Sequence, residues 1–136
     1  MTKNKPEKRV HDPLRETFAK FFEDPSRDKL HDLIAASGGE FRDLDFKAEW
    51  PSKAALAKQV LALGNIGGGL LIVGVKEGGD GSLTPVGVES LVDKAVIVGG
   101  IKGILPTALL NAVTVHDFEY PSGDYGVIQG LKFQVM

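Results

Sequence analysis

Leu61-Ala62-Leu63-Gly64-Asn65-Ile66-Gly67-Gly68-Gly69-Leu70-Leu71-Ile72-Val73-Gly74-Val75 is the stretch whose reading decides the fold. Its first residues continue a helical pattern, its middle holds three consecutive glycines, and its last part is unbroken apolar chain. A strand that is apolar at every position has no water-facing side, so it must be covered on both faces. Leu70 to Val75 therefore reads as the central strand of a sheet, with the preceding helix packed back onto it through the glycine turn. The order helix, glycines, strand is the reverse of a phosphate-binding loop, where the glycines lead into a helix N-terminus. Gly67 to Gly69 accordingly read as suppliers of positive φ and close backbone approach.

Upstream, Asp12 suits an N-cap and Pro13 a first helical turn. Leu14, Phe18, Phe21 and Phe22 recur at helical spacing, and Asp24-Pro25 ends that helix. Ser26 caps a second helix carrying Leu30, Leu33 and Ile34, with Gly38 as its C′ residue. From Arg42 to Lys47 polar and apolar residues alternate, with Leu44 and Phe46 on one side and Asp43, Asp45 and Lys47 on the other, which predicts a strand. Trp50-Pro51 breaks it. Ser52 caps a helix to about Gly64, buried through Leu56, Val60 and Leu63, with Lys53 and Lys58 pointing elsewhere.

Downstream, residues 76–82 form a turn and Thr84 to Val88 returns as the second strand of a hairpin. Glu89 to about Leu105 reads as a helix interrupted by glycines, although Val96-Ile97-Val98 also suits a strand. Val113 to Tyr120 and Val127 to Val135 read as strands joined by a turn at Pro121 to Asp124. The sum is an α+β fold, a mixed β-sheet with packed helices, in the order two helices and then βαββαββ.

The chain has 136 residues, 43% hydrophobic and 25% charged, which predicts a globular protein with a core of its own. It has no cysteine, which excludes disulfides, zinc–thiolate sites and cysteine nucleophiles. No apolar run approaches a membrane span, and the expected compartment is the cytoplasm. The first ten residues hold four cations against one acid, a local charge of +3, so the other 126 residues sum to −5. An acidic body argues against a broad basic face for duplex DNA, while a basic tail adds salt-sensitive affinity for nucleic acid or serves as a solubilising start.

The segments Glu40 to Lys47, Ala62 to Gly69, Leu71 to Glu77 and Val86-Gly87-Val88 together resemble, in order and spacing, the AlbA-like putative DNA-binding domain shared by bacterial regulators and Schlafen proteins. The resemblance covers residues 40–136 and leaves residues 1–39 as a basic tail with a two-helix extension. It implies a nucleic-acid-binding accessory domain, for DNA or RNA, of a larger regulatory or defence protein. The chain reaching Met136 directly after a strand fits either further domains beyond it or a last strand at the sheet edge. Schlafen-type lobes form a paired groove, so a single lobe implies a homodimer. The same resemblance implies, as an alternative, a metal-dependent endoribonuclease acting on structured RNA, with Glu40, Asp45 and Glu77 as catalytic and metal-binding residues for Mg2+ or Mn2+. Here Asp45 stands where glutamate is usual and Gly64 where alanine is usual. A third alternative is a protein-interaction or dimerisation domain.

Carboxylates gathered at one point repel unless a cation sits between them, and oxygen ligands suit magnesium or manganese. Glu40 and Asp45 are five residues apart, so they converge only if Glu40 lies in the turn before the strand. For simple binding the candidates are Arg42, Lys47, Lys53, Lys58 and Lys76. Asn65 either caps the helix end or contacts a base, and Trp50 either stacks on a base or packs beneath the next helix.

Overall fold

The computed structural model describes residues 13–36, 44–120 and 126–136. The Asp12 cap, the Gly38 helix stop, Glu40, Arg42 and the Pro121 to Asp124 turn lie outside the described residues.

The elements are α1 (Pro13–Glu23), α2 (Arg27–Ala36), β1 (Leu44–Lys47), α3 (Lys53–Asn65), β2 (Leu70–Val73), β3 (Val75–Glu77), β4 (Leu83–Pro85), α4 (Lys94–Ile101), α5 (Thr107–Asn111), β5 (His116–Tyr120) and β6 (Leu131–Val135). Four strands form a mixed sheet in the order β1-β2-β6-β5, and β3 and β4 form a separate ribbon. β1 runs parallel to β2, with Asp45 opposite Leu71 and Lys47 opposite Val73. β6 is antiparallel to both β2 and β5. The architecture is mixed α+β with helices on a mixed sheet, as expected. No described helix is long and apolar enough to cross a membrane.

β2 is central and covered on both faces. Leu71, Ile72 and Val73 are fully buried. Ile72 packs with α1 and α2 in one core, and Leu71 and Val73 pack with α3, α4 and the α5 region in the other. In the first core the Phe22 ring stacks on Phe133 with centroids 3.8 Å apart and planes 6° apart. Phe21 stacks on Phe46 of β1 at 6.0 Å. The helical spacing of Phe18, Phe21 and Phe22 thus brings three buried rings onto one sheet face. Both ends of α1 are fastened to the β5–β6 region. The Arg15 guanidinium lies over the Tyr120 ring and donates to the Glu119 carbonyl. The Glu23 carboxylate accepts from the amides of Val127 and Ile128.

Local signals set several boundaries. Ser26 Oγ accepts from Lys29 N, and Ser52 Oγ from Ala55 N, so each serine satisfies an otherwise orphan amide of its helix start. α3 ends in a Schellman motif: Gly68 N–H donates to Leu63 O at 2.8 Å and Gly67 N–H to Gly64 O at 3.2 Å. Gly67 and Gly68 have positive φ, 96° and 124°. Gly69 does not share it, so the expectation for three glycines holds for two. These glycines, and not Asn65, close the helix.

The single strand expected over 70–75 is divided at Gly74. Its φ is +113°, and the chain there leaves the main sheet for the β3–β4 ribbon. Gly74 N–H donates to Lys47 O at 2.7 Å, and Gly74 O accepts from both Val86 N and Gly87 N at 2.8 Å. A Cβ at Gly74 would lie 2.6 Å from Phe133 Cδ1. The backbone therefore turns where only glycine fits. The expected hairpin forms, but its return strand is Leu83–Pro85 rather than Thr84 to Val88.

The helix expected over 89–105 is confined to α4. Asp93 caps it by accepting from Ala95 N at 2.8 Å, which settles Val96-Ile97-Val98 as helix. Pro106 then stands at the N-cap of a further short helix, α5. β5 and β6 begin later than expected, at His116 and Leu131, where their mutual pairing begins and ends.

Among the described residues Gln134 is the buried polar one, at 0% exposure. Its Oε1 accepts from Trp50 Nε1 at 2.8 Å and Val92 N at 3.0 Å. Its Nε2 donates to Val92 O and Asp117 Oδ1, each at 2.8 Å. All four bonding positions of the amide are used. The opposite amide orientation would set donors against donors, so the network fixes which atom is oxygen.

Candidate functional site

The carboxyl edge of the β1–β2 pair gathers Lys47, Lys53 and Lys76 from the sequence-derived candidates. Lys47 is the last residue of β1, and its carbonyl holds Gly74 where β2 gives way to β3. Lys76 follows two residues later in β3 and is exposed. The linker from β1 to α3 crosses the same edge, because Trp50 is bonded to Gln134 and Gln134 pairs with Val73. Lys53, the first residue of α3, is therefore delivered there. Lys58 is exposed on the same helix, about 7.5 Å further along its axis at 1.5 Å per residue.

Electrostatics at this edge are uneven. α3 has no acidic residue in its first turn and opens on Lys53. The unsatisfied amides of a helix start carry about half a positive charge, so a carboxylate is the stabilising choice there and a lysine is not. Lys53, Lys58 and Lys76 have no ion-pair partner among the described residues, whereas Lys47 Nζ lies 3.3 Å from Asp45 Oδ2. Glu77 follows Lys76 in β3, and alternation along a strand turns it to the other face of the ribbon.

The acidic candidates are differently engaged. Asp45 sits within β1, opposite Leu71, and its Oδ2 accepts from Gln59 Nε2 at 2.6 Å as well as facing Lys47. Glu77 is exposed, in the β3–β4 ribbon opposite Leu83, and its side chain has no partner among the described residues. Glu40 lies outside the described residues. Among those described, no three His, Cys, Asp or Glu side chains stand together as a metal-binding group. Asp80 belongs to the turn after β3. The hydroxyl and amide of Ser82 bond its carboxylate and hold its pKa below the ordinary value, so that carboxylate builds the turn.

Trp50 is half-buried, packs against the second core and commits its N–H to Gln134, in line with the packing alternative for this residue. Gln134 and Val92 were missed by sequence reasoning. The only sequence signal was a glutamine between Phe133 and Val135, at a position that alternation would assign to water.

Comparison with protein-family models, with curated proteins and with solved structures returns no match.

Proposed function

We propose that the chain is a nucleic-acid-binding accessory domain of the Schlafen AlbA-like kind, holding phosphates along the carboxyl edge of the β1–β2 pair. The observation that carries this reading is Lys53 on the acid-free first turn of α3. Lysine and helix dipole add there, so the helix start is electrostatically incomplete until an anion meets it. Lys76 adds a second cation without an ion-pair partner among the described residues, Lys47 is shared with Asp45, and Lys58 lies further along α3. Phosphate contacts of this kind position a nucleic acid without reading its sequence. Asp45 is occupied by a cation and an amide donor, which favours binding over metal ligation at that residue.

Fluorescence anisotropy with end-labelled RNA and DNA hairpins, repeated across a salt series, tests the reading. Affinity is expected to fall log-linearly with salt, and each phosphate-contacting lysine removed should reduce the slope by about 0.7 to 0.9. Lys53→Ala/Lys76→Ala should therefore flatten the salt dependence by about 1.4 to 1.8. Unchanged affinity and slope in that variant, or no binding by the wild type at low salt, refutes it. The same RNA incubated with Mn2+ and run on a denaturing gel is expected to remain intact.

A further inference from the structure

α3 runs from the lysine edge to the opposite end of the sheet, and at that far end lies a cleft of about 580 Å3. Its walls come from both cores. Leu63 lines it from the last turns of α3, Leu109 from α5, and Leu70 and Met136 from the sheet end. Reciprocal hydrogen bonds between Leu71 and Met136, 2.9 Å each, hold that end together. Gly64 sets the width, because a Cβ there would lie 2.6 Å from Leu109 Cδ1. Gly67 and Gly68 form a bare rim, where an added Cβ would meet nothing within 4 Å.

The lining is selective in composition. A quarter of the chain is charged, yet among the described residues none of the fifteen that line the cleft is Asp, Glu, Lys or Arg. The polar side chains are Thr114 and His116, from the single segment leading into β5. An ion among these described side chains would leave water without meeting an opposite charge on any of them, which is costly. A neutral molecule would not bear that cost, and could hydrogen-bond at the Thr114–His116 wall. The volume falls within the range of small-molecule sites, about 300–1,000 Å3.

We propose that this cleft binds a neutral, largely apolar small molecule carrying one hydrogen-bonding group, oriented by Thr114 and His116. The site is separate from the lysine edge and does not depend on nucleic-acid binding.

N-phenyl-1-naphthylamine and 1-anilinonaphthalene-8-sulfonate are near-matched probes, one neutral and one anionic. The neutral probe should show saturable fluorescence enhancement, one per chain, about tenfold tighter than the sulfonate. Ala112→Trp places an indole in the cleft from an exposed position and should abolish that binding while leaving the circular dichroism and urea midpoint unchanged. Thr114→Val/His116→Phe should weaken it several-fold. In the wild type, methyl NMR should show shifts concentrated on Leu63, Leu70, Leu109 and Met136, a readout that needs no variant to fold. Absent or non-saturable binding, a preference for the sulfonate, or shifts centred elsewhere overturns the proposal and leaves the cleft to another stretch of chain or to a second copy.

Discussion

Replacing Gln134 with leucine isolates the buried amide network. Leucine is close in volume, so the change removes hydrogen bonds with little change in packing. Trp50 N–H, Val92 N–H and Val92 C=O each lose a partner, while the exposed Asp117 carboxylate recovers water. An unsatisfied buried group costs about 1–3 kcal/mol, and half-buried Trp50 and Val92 belong at the lower end, so the gross loss is about 3 kcal/mol. Removing an amide that itself had to leave water returns about 1 kcal/mol, for a net loss of about 2 kcal/mol. That is a large part of the 5–15 kcal/mol typical of a domain and corresponds to a fall in Tm of about 6–10 °C. Urea unfolding should show the midpoint shifting at constant m-value. Trp50 is the only tryptophan, so its native emission reports directly on loss of the Gln134 bond. Gln134→Glu should be worse than leucine, because a buried carboxylate would face the Val92 carbonyl and the Asp117 carboxylate without a proton to donate. A Gln134→Leu loss below about 0.5 kcal/mol, or a glutamate variant more stable than the leucine one, would refute the reasoning.

Gly74→Ala should cost about 3 kcal/mol or more, combining positive-φ strain with a contact against the buried Phe133 ring. Gly67→Ala, with positive φ but open space, should cost only about 1–2 kcal/mol; equal melting temperatures for the two variants would show that the Phe133 contact is not limiting. Phe22→Ala should destabilise the whole domain by about 3–5 kcal/mol in a single urea transition, because its ring stacks on Phe133 in the sheet. A loss below about 1 kcal/mol would mean that α1 is not part of the same cooperative unit.

Much of the candidate site was legible as residue types and little of it as geometry. Lys47, Lys53, Lys58 and Lys76 stand out in the sequence as cations near motif positions. That Lys47, Lys53 and Lys76 come to one edge follows from the parallel β1–β2 register and from the Trp50–Gln134 bond that draws the linker across it, while Lys58 lies further along α3. Asp45 stands out as a carboxylate on a strand. Its nearness to Lys47 follows from strand alternation, but that it is also held by Gln59 depends on where α3 docks.

By itself the sequence determined what short-range physics controls. Ser26 and Ser52 start helices because their hydroxyls reach amides three residues on. Gly67 stops one because the C′ position needs positive φ. The apolar run 70–73 demanded cover on both faces because no residue in it tolerates water. Tertiary structure decided what depends on partners far apart in the chain. Glycine permits the turn at Gly74 but does not require it; the turn is imposed by Lys47 on one side and by Val86, Gly87 and Phe133 on the other. Gln134 is tolerable in the core only because Trp50, Val92 and Asp117, separated by up to 84 residues of chain from it, converge on one amide. The cleft, too, exists only between elements, where Gly64 lets Leu109 approach α3 and the sheet end closes beneath them.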